Sequence, residues 1–569
     1  MDKRRGIKNV TVSIFFRVIM LVGSLLVRRY LIRYIGNDVN GLNSLYLSIL
    51  NVLSVAELGI DSAIIFCMYK PVVDGDTKKV SALYRLFTKL YLICGLIIVV
   101  GGCAVMPALP YLAKEYENTQ INLYLTFGLM LISVVLSYTF SSKTSLINAH
   151  KNNYISTSIH YGGMLLQYGL QILVLVTTRS FVWYLVCRIV SVAVQWAITE
   201  IITRKKYGAI IKDKQKVDAE TKKSATKNIV AMFMHKIGYV LVNTVDSIVI
   251  SSFIGISILG KYSNYTTIMT AMTGVITLCF TPLTSVIGHM FVEESERAAQ
   301  RYFNFFHTFN FILGVVFFLG YYAVIDNLVA GLFGRDLKLV KSISFVITVN
   351  YFIQFIRRST ILFRDASGTF YHNRWMPICE GLLNIALSIL FVKVFPGEYN
   401  VVGVIVATII TNLFICHIVE PYVLYKYALR TTPRNYYIRN YVYIAVFTGW
   451  LVIMHFCLVD ISNIWLQMIA NGFIAIAMAI PLCIAAAWLN KDFRHYAAIV
   501  WRRIKAKLGK KHAVAAAAAS GDESESASAE IPEQEHDAIA QETVDATGVT
   551  ADSTVSPPND DAGDGDTPD

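Results

Sequence analysis

The sequence predicts an all-α polytopic membrane protein of about fourteen transmembrane helices, built from two similar six-helix units with two further helices after them. Three observations carry this. The 569 residues are 55% hydrophobic and only 16% charged, with a mean hydropathy of +0.51, whereas a soluble chain carries about 25% charged residues. Apolar runs long enough to cross a bilayer follow one another from Val10 to Trp488. An echo recurs at one interval of 219 residues: Asn9, Arg17, Ile35, Gly36, Gly41, Ser44 and Tyr46 return as Asn228, Lys236, Ile254, Gly255, Gly260, Ser263 and Tyr265. Repeated crossing demands helices, because unpaired backbone groups are not tolerated in lipid. Strict two-residue alternation, the signature of membrane strands, is missing.

The spans fall near 9–35, 42–68, 82–112, 121–148, 154–177 and 181–203 in the first unit. The second unit holds 228–254, 262–290, 302–333, 340–363, 376–395 and 401–425, and the extra pair is 437–458 and 462–489. The first span keeps Arg17 within it and ends in Arg28, Arg29 and Arg33 without a cleavage site. It reads as a permanent span rather than a signal peptide. Connections after even-numbered spans are rich in Lys and Arg, with the mixed loop 293–301 as an exception. Both termini are therefore expected in the cytoplasm. Six spans per unit give both copies the same orientation, related by an axis along the membrane normal. Gly36 and Gly41 in the first copy, and Gly255 and Gly260 in the second, read as equivalent outer turns.

The remaining segments divide by charge. Residues 204–227 form a basic linker between the units, Lys491–His512 reads as a basic amphipathic helix on the inner leaflet, and 513–569 is an acidic tail expected to be disordered. That tail holds 15 acidic residues and no Lys or Arg. Without it the chain is strongly basic, which suits anionic lipids and an anionic substrate. The nine cysteines lie in or beside apolar runs with no C-x-x-C pair, so no metal site or disulfide framework is expected. No nucleotide fingerprint, nucleophile triad or Walker loop is present. Asp74-Gly-Asp76 and Asp564-Gly-Asp566 lack the surroundings of the metal motifs they imitate.

Ionisable groups within spans are costly and mark candidate sites. Ser13, Arg17, Ser24 and Arg28 share one face of the first helix. Lys236 and Asn243 repeat the pattern in the seventh span, with Asp246 beside it. Arg17, Arg28, Arg188 and Lys236 are the candidate cavity cations. Inter-helix hydrogen bonding and snorkelling are the competing roles for such residues. Glu57, Asp61 and Asp246 are candidates for ion coupling or for pairing with those cations. Arg364 and Asp365, after the tenth span, border the membrane and could meet a headgroup at an entry mouth.

At these residues a family resemblance enters. SVAELGIDSAIIFCMYKPVVDGDTKKVSALY (Ser54 to Tyr84) and DSIVISSFIGISILGKYSNY (Asp246 to Tyr265) resemble segments of bacterial polysaccharide flippases of the O-antigen type. So do RDASGTFYHNRWMPICEGLLNIALSILF, GVIVATIITN and EPYVLYK. These flippases belong to the multidrug/oligosaccharidyl-lipid/polysaccharide exporter superfamily. The resemblance spans roughly residues 9 to 430 and implies two six-helix pseudo-symmetric lobes in a V around a cationic cavity. It implies alternating access that flips an undecaprenyl-(pyro)phosphate-linked oligosaccharide, with no cofactor beyond a coupling H+ or Na+. It also implies partners in the same pathway, a polymerase and glycosyltransferases, and no nucleic acid. Relatives commonly stop at twelve spans, so the last two depart from the pattern. A multidrug or metabolite antiporter of the same superfamily is the alternative, and a membrane polymerase or glycosyltransferase is a further one. The short outer loops and buried cations argue against both.

Overall fold

The computed structural model describes residues 3–54, 60–213, 240, 244–280, 283–499 and 501–502; in its helices, the side chains of 3–15, 17, 18 and 60–64, among others, lie outside the description. The helices are α1 (Lys3–Tyr34), α2 (Asn37–Leu53), α3 (Ile60–Val73), α4 (Thr77–Val105), α5 (Leu109–Leu112), α6 (Leu123–Ala149), α7 (Asn153–Thr177) and α8 (Phe181–Lys212). There follow α9 (Thr244–Ile254), α10 (Ile256–Phe280), α11 (Leu283–Glu293), α12 (Glu296–Leu332), α13 (Lys341–Ile356), α14 (Arg358–Ala366) and α15 (Met376–Val394). α16 (Asn400–Thr411) and α17 (His417–Leu424) are joined through a π turn (Asn412–Cys416), and a second π turn (Tyr425–Leu429) follows α17. α18 (Arg434–Cys457) and α19 (Ile464–Leu489) complete the series. The described residues contain no strand. Nine of their helices are long and apolar enough to cross a membrane. The fold is an all-α polytopic membrane fold.

Local chemistry sets the ends. Side chains of Asp76, Asn122, Ser295 and Asn463 accept the first free backbone N–H groups of α4, α6, α12 and α19. Along α19, Leu466, Ile469, Phe473, Ile476, Ile480 and Ile484 are exposed at helical spacing. An apolar stripe of that length left uncovered fits contact with acyl chains.

The 219-residue interval governs more than the quoted echo. It separates the first residues of α2 and α10, of α4 and α12, and of α8 and α16. α4, α6, α7 and α8 pack together with α1 against α7, while α13, α15 and α16 pack together in the second copy. Within this unit (residues 1–494) the copies meet chiefly where α2 crosses α10. α2 packs more broadly on α10 than on any helix of its own copy. α19 lies along α12, so the extra pair is built onto the second copy. Tyr46 and Tyr265, an echo pair, are both wholly buried. Tyr46 donates to the Leu123 carbonyl at 3.1 Å, and Tyr265 donates to Asp326 Oδ1 at 2.8 Å.

Several boundaries differ from the sequence reading. Gly36 (φ 122°) and Gly255 (φ 145°) do sit in turns, in the region that favours glycine. Gly41 and Gly260 do not: they lie inside α2 and α10, at the crossing. The basic stretch from Arg204 continues α8 as far as Lys212, with Tyr207 outside helical geometry; the remainder of that linker lies outside the described residues. The tenth span ends at Ile356, and Arg364 and Asp365 belong to the separate helix α14. Of the segment expected to lie on the inner leaflet, residues 491–499 are helical.

Candidate functional site

Two cavities lie one in each copy, and α6, α7 and α8 of the first copy correspond to α13–α14, α15 and α16–α17 of the second. The first, of about 830 Å³, is lined by α4, α6, α7 and α8. The second, of about 430 Å³, is lined by α10, α13, α14, α15 and the α16–α17 segment.

In the first cavity Arg188 is the only Lys or Arg among the lining residues, and no Asp or Glu accompanies it. It sits on α8 with Val192, Gln195 and Thr199 at helical spacing, a single face turned to the cavity. Gln195 donates to Ser191 Oγ at 3.3 Å, and Ser191 donates to the Gly163 carbonyl at 2.6 Å. A Cβ at Gly163 would run into the Gln195 side chain, so glycine is what lets α7 approach α8 here. Ser137, Ser141, Thr144, Thr157 and Gln167 add hydroxyl and amide groups to the wall, and Tyr161 and Tyr168 add rings. Among the described residues Arg188 makes no ion pair.

Arg28 lies nearby, since the Tyr184 hydroxyl is close enough to feel the charge of both Arg28 and Arg188. Arg28 is half-buried and reaches across to the second copy. Its Nη1 donates to Ser263 Oγ at 2.8 Å and to Asn264 Oδ1 at 3.0 Å. Asn40 points the same way, donating to the Gly260 carbonyl at 3.2 Å and Asn264 Oδ1 at 3.2 Å. The backbone of Lys114 joins in, donating to the Ser251 carbonyl and accepting from the Ile256 N–H. One end of the molecule is thus cross-tied between copies by polar groups. Replacing Arg28 by Ala is expected to weaken this tie by at least about 1.5–3 kcal/mol, the value of one hydrogen bond from a charged donor. Spin-label distances between α1 and α10 should then broaden.

The second cavity holds a charge cluster that the sequence reading did not assemble. Arg357 occupies the break between α13 and α14. Its Nε and Nη2 donate to the two Glu420 oxygens, both at 3.0 Å, and its Nη1 donates to Asn412 Oδ1 at 2.6 Å. Arg364 Nη1 donates to Glu420 Oε1 at 3.0 Å, and Arg364 also pairs with Asp365 at 2.8 Å. Glu380 accepts from Asn412 Nδ2 at 3.2 Å and stands 3.7 Å from Arg357. Arg364, assigned to an entry mouth by the sequence, is buried in this cluster, while Asp365 is exposed. Charges within the apolar runs signalled this cluster: the rule that marks Arg188 marks Arg357, Glu380 and Glu420 equally.

Asp246 is buried on α9. Thr408 donates to its two oxygens at 3.0 and 3.2 Å, and Asn384 donates to Thr408 at 2.9 Å. No Lys or Arg among the described residues pairs with it. Arg17 lies on α1 three turns before Arg28, and Asp61 lies on α3; their side chains are outside the description. Glu57 and Lys236 lie outside the described residues.

A polytopic helical fold with polar cavities in two repeated units recurs among membrane transporters. Among solved structures, the lipid II flippase MurJ in its inward closed conformation has this fold, with a TM-score of 0.57. The match covers 85% of this chain and 98% of that one at 15% identity. An inward-facing multidrug resistance MATE family transporter of the MOP superfamily aligns with a TM-score of 0.47 at 14% identity, covering 70% of this chain and 97% of that one. The Vibrio cholerae MATE transporter VcmN in the bent form gives 0.44 at 14% identity, covering 75% and 97%. No protein-family model and no curated protein matches the sequence.

Proposed function

We propose that this protein is a secondary transporter of the bacterial plasma membrane. It flips an undecaprenyl-(pyro)phosphate-linked oligosaccharide from the inner to the outer leaflet by alternating access, for cell-surface polysaccharide synthesis. The observation that carries the reading is Arg188: a cation without an acidic partner among the described residues, facing a cavity of about 830 Å³. A guanidinium matches a phosphate in charge and in fork geometry. The hydroxyl and amide groups around it suit sugar hydroxyls, and a cationic drug would be repelled there. Arg28, close to the same tyrosine, is the second phosphate contact. Arg17 and Lys236 remain the candidates for the rest of the cationic surface. The fold shared with a lipid II flippase supports a lipid-linked cargo.

Basic loops orient both termini to the cytoplasm and favour anionic lipids at that face. Polymerase and glycosyltransferases of the same pathway are the natural protein partners. Asp246, a buried carboxylate paired with a hydroxyl rather than a cation, is the proposed carrier of a coupling H+ or Na+. Glu57 and Asp61 are kept as further coupling candidates. The connections 178–180, 333–340, 395–399 and 458–463 are short, which favours transport over a polymerase or glycosyltransferase activity.

The test is flipping of an undecaprenyl-pyrophosphate-linked saccharide in vesicles containing the purified protein. Arg188→Ala is expected to slow flipping by roughly tenfold to a hundredfold, the equivalent of one lost charge-assisted contact of about 1.5–3 kcal/mol. Arg188→Lys should recover part of the rate. Wild-type speed in Arg188→Ala would overturn the assignment. Export of a cationic drug by a wild type that ignores the lipid-linked sugar would favour the antiporter reading instead.

A further inference from the structure

The two copies share a scaffold but not the charge cluster. At the 219-residue interval, Arg357, Arg364, Glu380, Asn412 and Glu420 correspond to Tyr138, Ser145, Tyr161, Ala193 and Ile201. No charge is repeated. The helices differ at the same places. α6 is continuous where the second copy breaks at Arg357 into α13 and α14. α8 has no π turn where the second copy has Asn412–Cys416. Among the described residues the break, this π turn and the buried charge cluster coincide in the second copy and have no counterpart in the first. π turns interrupt the usual hydrogen-bond register and recur at functional positions.

The two glutamates of the cluster are held differently. Glu420 accepts three arginine N–H bonds, all at 3.0 Å. Glu380 accepts none: the Asn412 amide donates to it at 3.2 Å, and Arg357 stands beyond hydrogen-bond distance at 3.7 Å. Glu380 lines the cavity. A proton arriving through that cavity can therefore be added to Glu380 without breaking an arginine hydrogen bond, whereas adding one to Glu420 displaces a guanidinium. The groups facing Glu380 are Arg357 from the α13–α14 break, Glu420 from α17 and the Cys416 thiol from the π turn. Arg358, Arg364 and Tyr351 line the same cavity.

We propose that Glu380 is a proton-carrying residue of the second copy, and that its protonation state sets the register of the Asn412–Cys416 π turn. Asn412 is the mechanical link. Its carbonyl oxygen accepts from Arg357 while its amide nitrogen donates to Glu380. Hydronium in the cavity gives its proton to a Glu380 oxygen and leaves as water. The carboxylate then no longer neutralises Arg357, and the Asn412 amide loses its charged acceptor. The π turn is freed from α15, and α16 can rotate against α15, its principal neighbour. Release of the proton restores the anchored state. This goes beyond the flippase reading, since it concerns how the second copy changes shape and needs no cargo.

The experiment is hydrogen–deuterium exchange on the purified full-length protein in lipid nanodiscs, without substrate, across roughly pH 5 to 8 with rates corrected for intrinsic exchange. In the wild type, peptides covering 400–430 should become several-fold less protected as pH falls, and those covering 181–203 should not change. Glu380→Gln, which mimics the neutral acid and cannot titrate, should abolish the change and hold peptides covering 400–430 at the low-pH level of protection throughout. Glu380→Asp, which still titrates, should retain it and shows that the site tolerates substitution. A pH response that survives in Glu380→Gln, or no response in wild type, overturns the proposal. Because no cargo is present, a wild type with this response that fails to flip a lipid-linked saccharide overturns the proposed function alone.

Discussion

Glu420→Ala is expected to cost this protein about 3–5 kcal/mol, the penalty for removing one side of a buried ion pair. Glu420 is 1% exposed, and the two arginines it holds, Arg357 and Arg364, are 13% and 7% exposed. Truncation leaves Arg357 with the Asn412 oxygen and the distant Glu380, and leaves Arg364 with Asp365 alone. Arg357 is the more damaged, because its fork loses two parallel bonds at once. The burial of the two arginines leaves little room for water to take the place of the lost carboxylate. The measurement is the thermal midpoint of the detergent-purified protein, alongside the yield of monodisperse material. The paired variant Arg357→Leu/Glu420→Leu separates charge from packing. Replacing both partners by apolar groups is often neutral, so the double variant should be more stable than Glu420→Ala. A Glu420→Ala protein as stable as wild type would show that the cluster does not hold α14 to α17.

How much of this was legible in the sequence depended on distance along the chain. Apolar runs report a local property, solvation of one helix by lipid, so the helices were readable from Val10 to Trp488. The 219-residue echo reports duplication directly, and it predicted the equivalent turns at Gly36 and Gly255. Arg188 was readable because a charge in an apolar run is costly wherever its partner lies. The cluster was not assembled, because Arg357 and Glu420 are 63 residues apart and only the packing of α14 against α17 joins them. Arg364 looked like a border residue because an apolar run ended beside it. The break at Arg357 instead starts a new helix and carries Arg364 inward. Gly41 and Gly260 looked like turn residues because they sit close behind Gly36 and Gly255. Glycine has two uses, positive φ and the absence of a Cβ, and the sequence does not distinguish them.

The second use yields the other large effect. A Cβ at Gly41 would overlap the Ile256 carbonyl oxygen, and a Cβ at Gly260 would press on the Asn37 carbonyl oxygen and side chain. Ile256 corresponds to Asn37 in the echo, so each glycine meets the partner of the other's neighbour. Such reciprocity is the mark of a contact about a two-fold axis. The obstacle is backbone, which cannot rotate away as a side chain can. Gly41→Leu should therefore force α2 and α10 apart, at a cost of about 1–3 kcal/mol or more for an overpacked contact. The Arg28 and Asn40 bonds to α10 would be lost with it. The expected result is a longer α2–α10 distance by spin-label spectroscopy, and loss of the flipping proposed above. Gly260→Leu should do the same. The double variant should be little worse than either single one, since the helices need separate only once and shared contacts are not additive. Gly449→Ala in α18, where a Cβ meets nothing within 4 Å, should be neutral or mildly stabilising and serves as the control. Fully additive losses in the double variant would mean that the two glycines act at separate contacts, and that the echo does not place them on one axis.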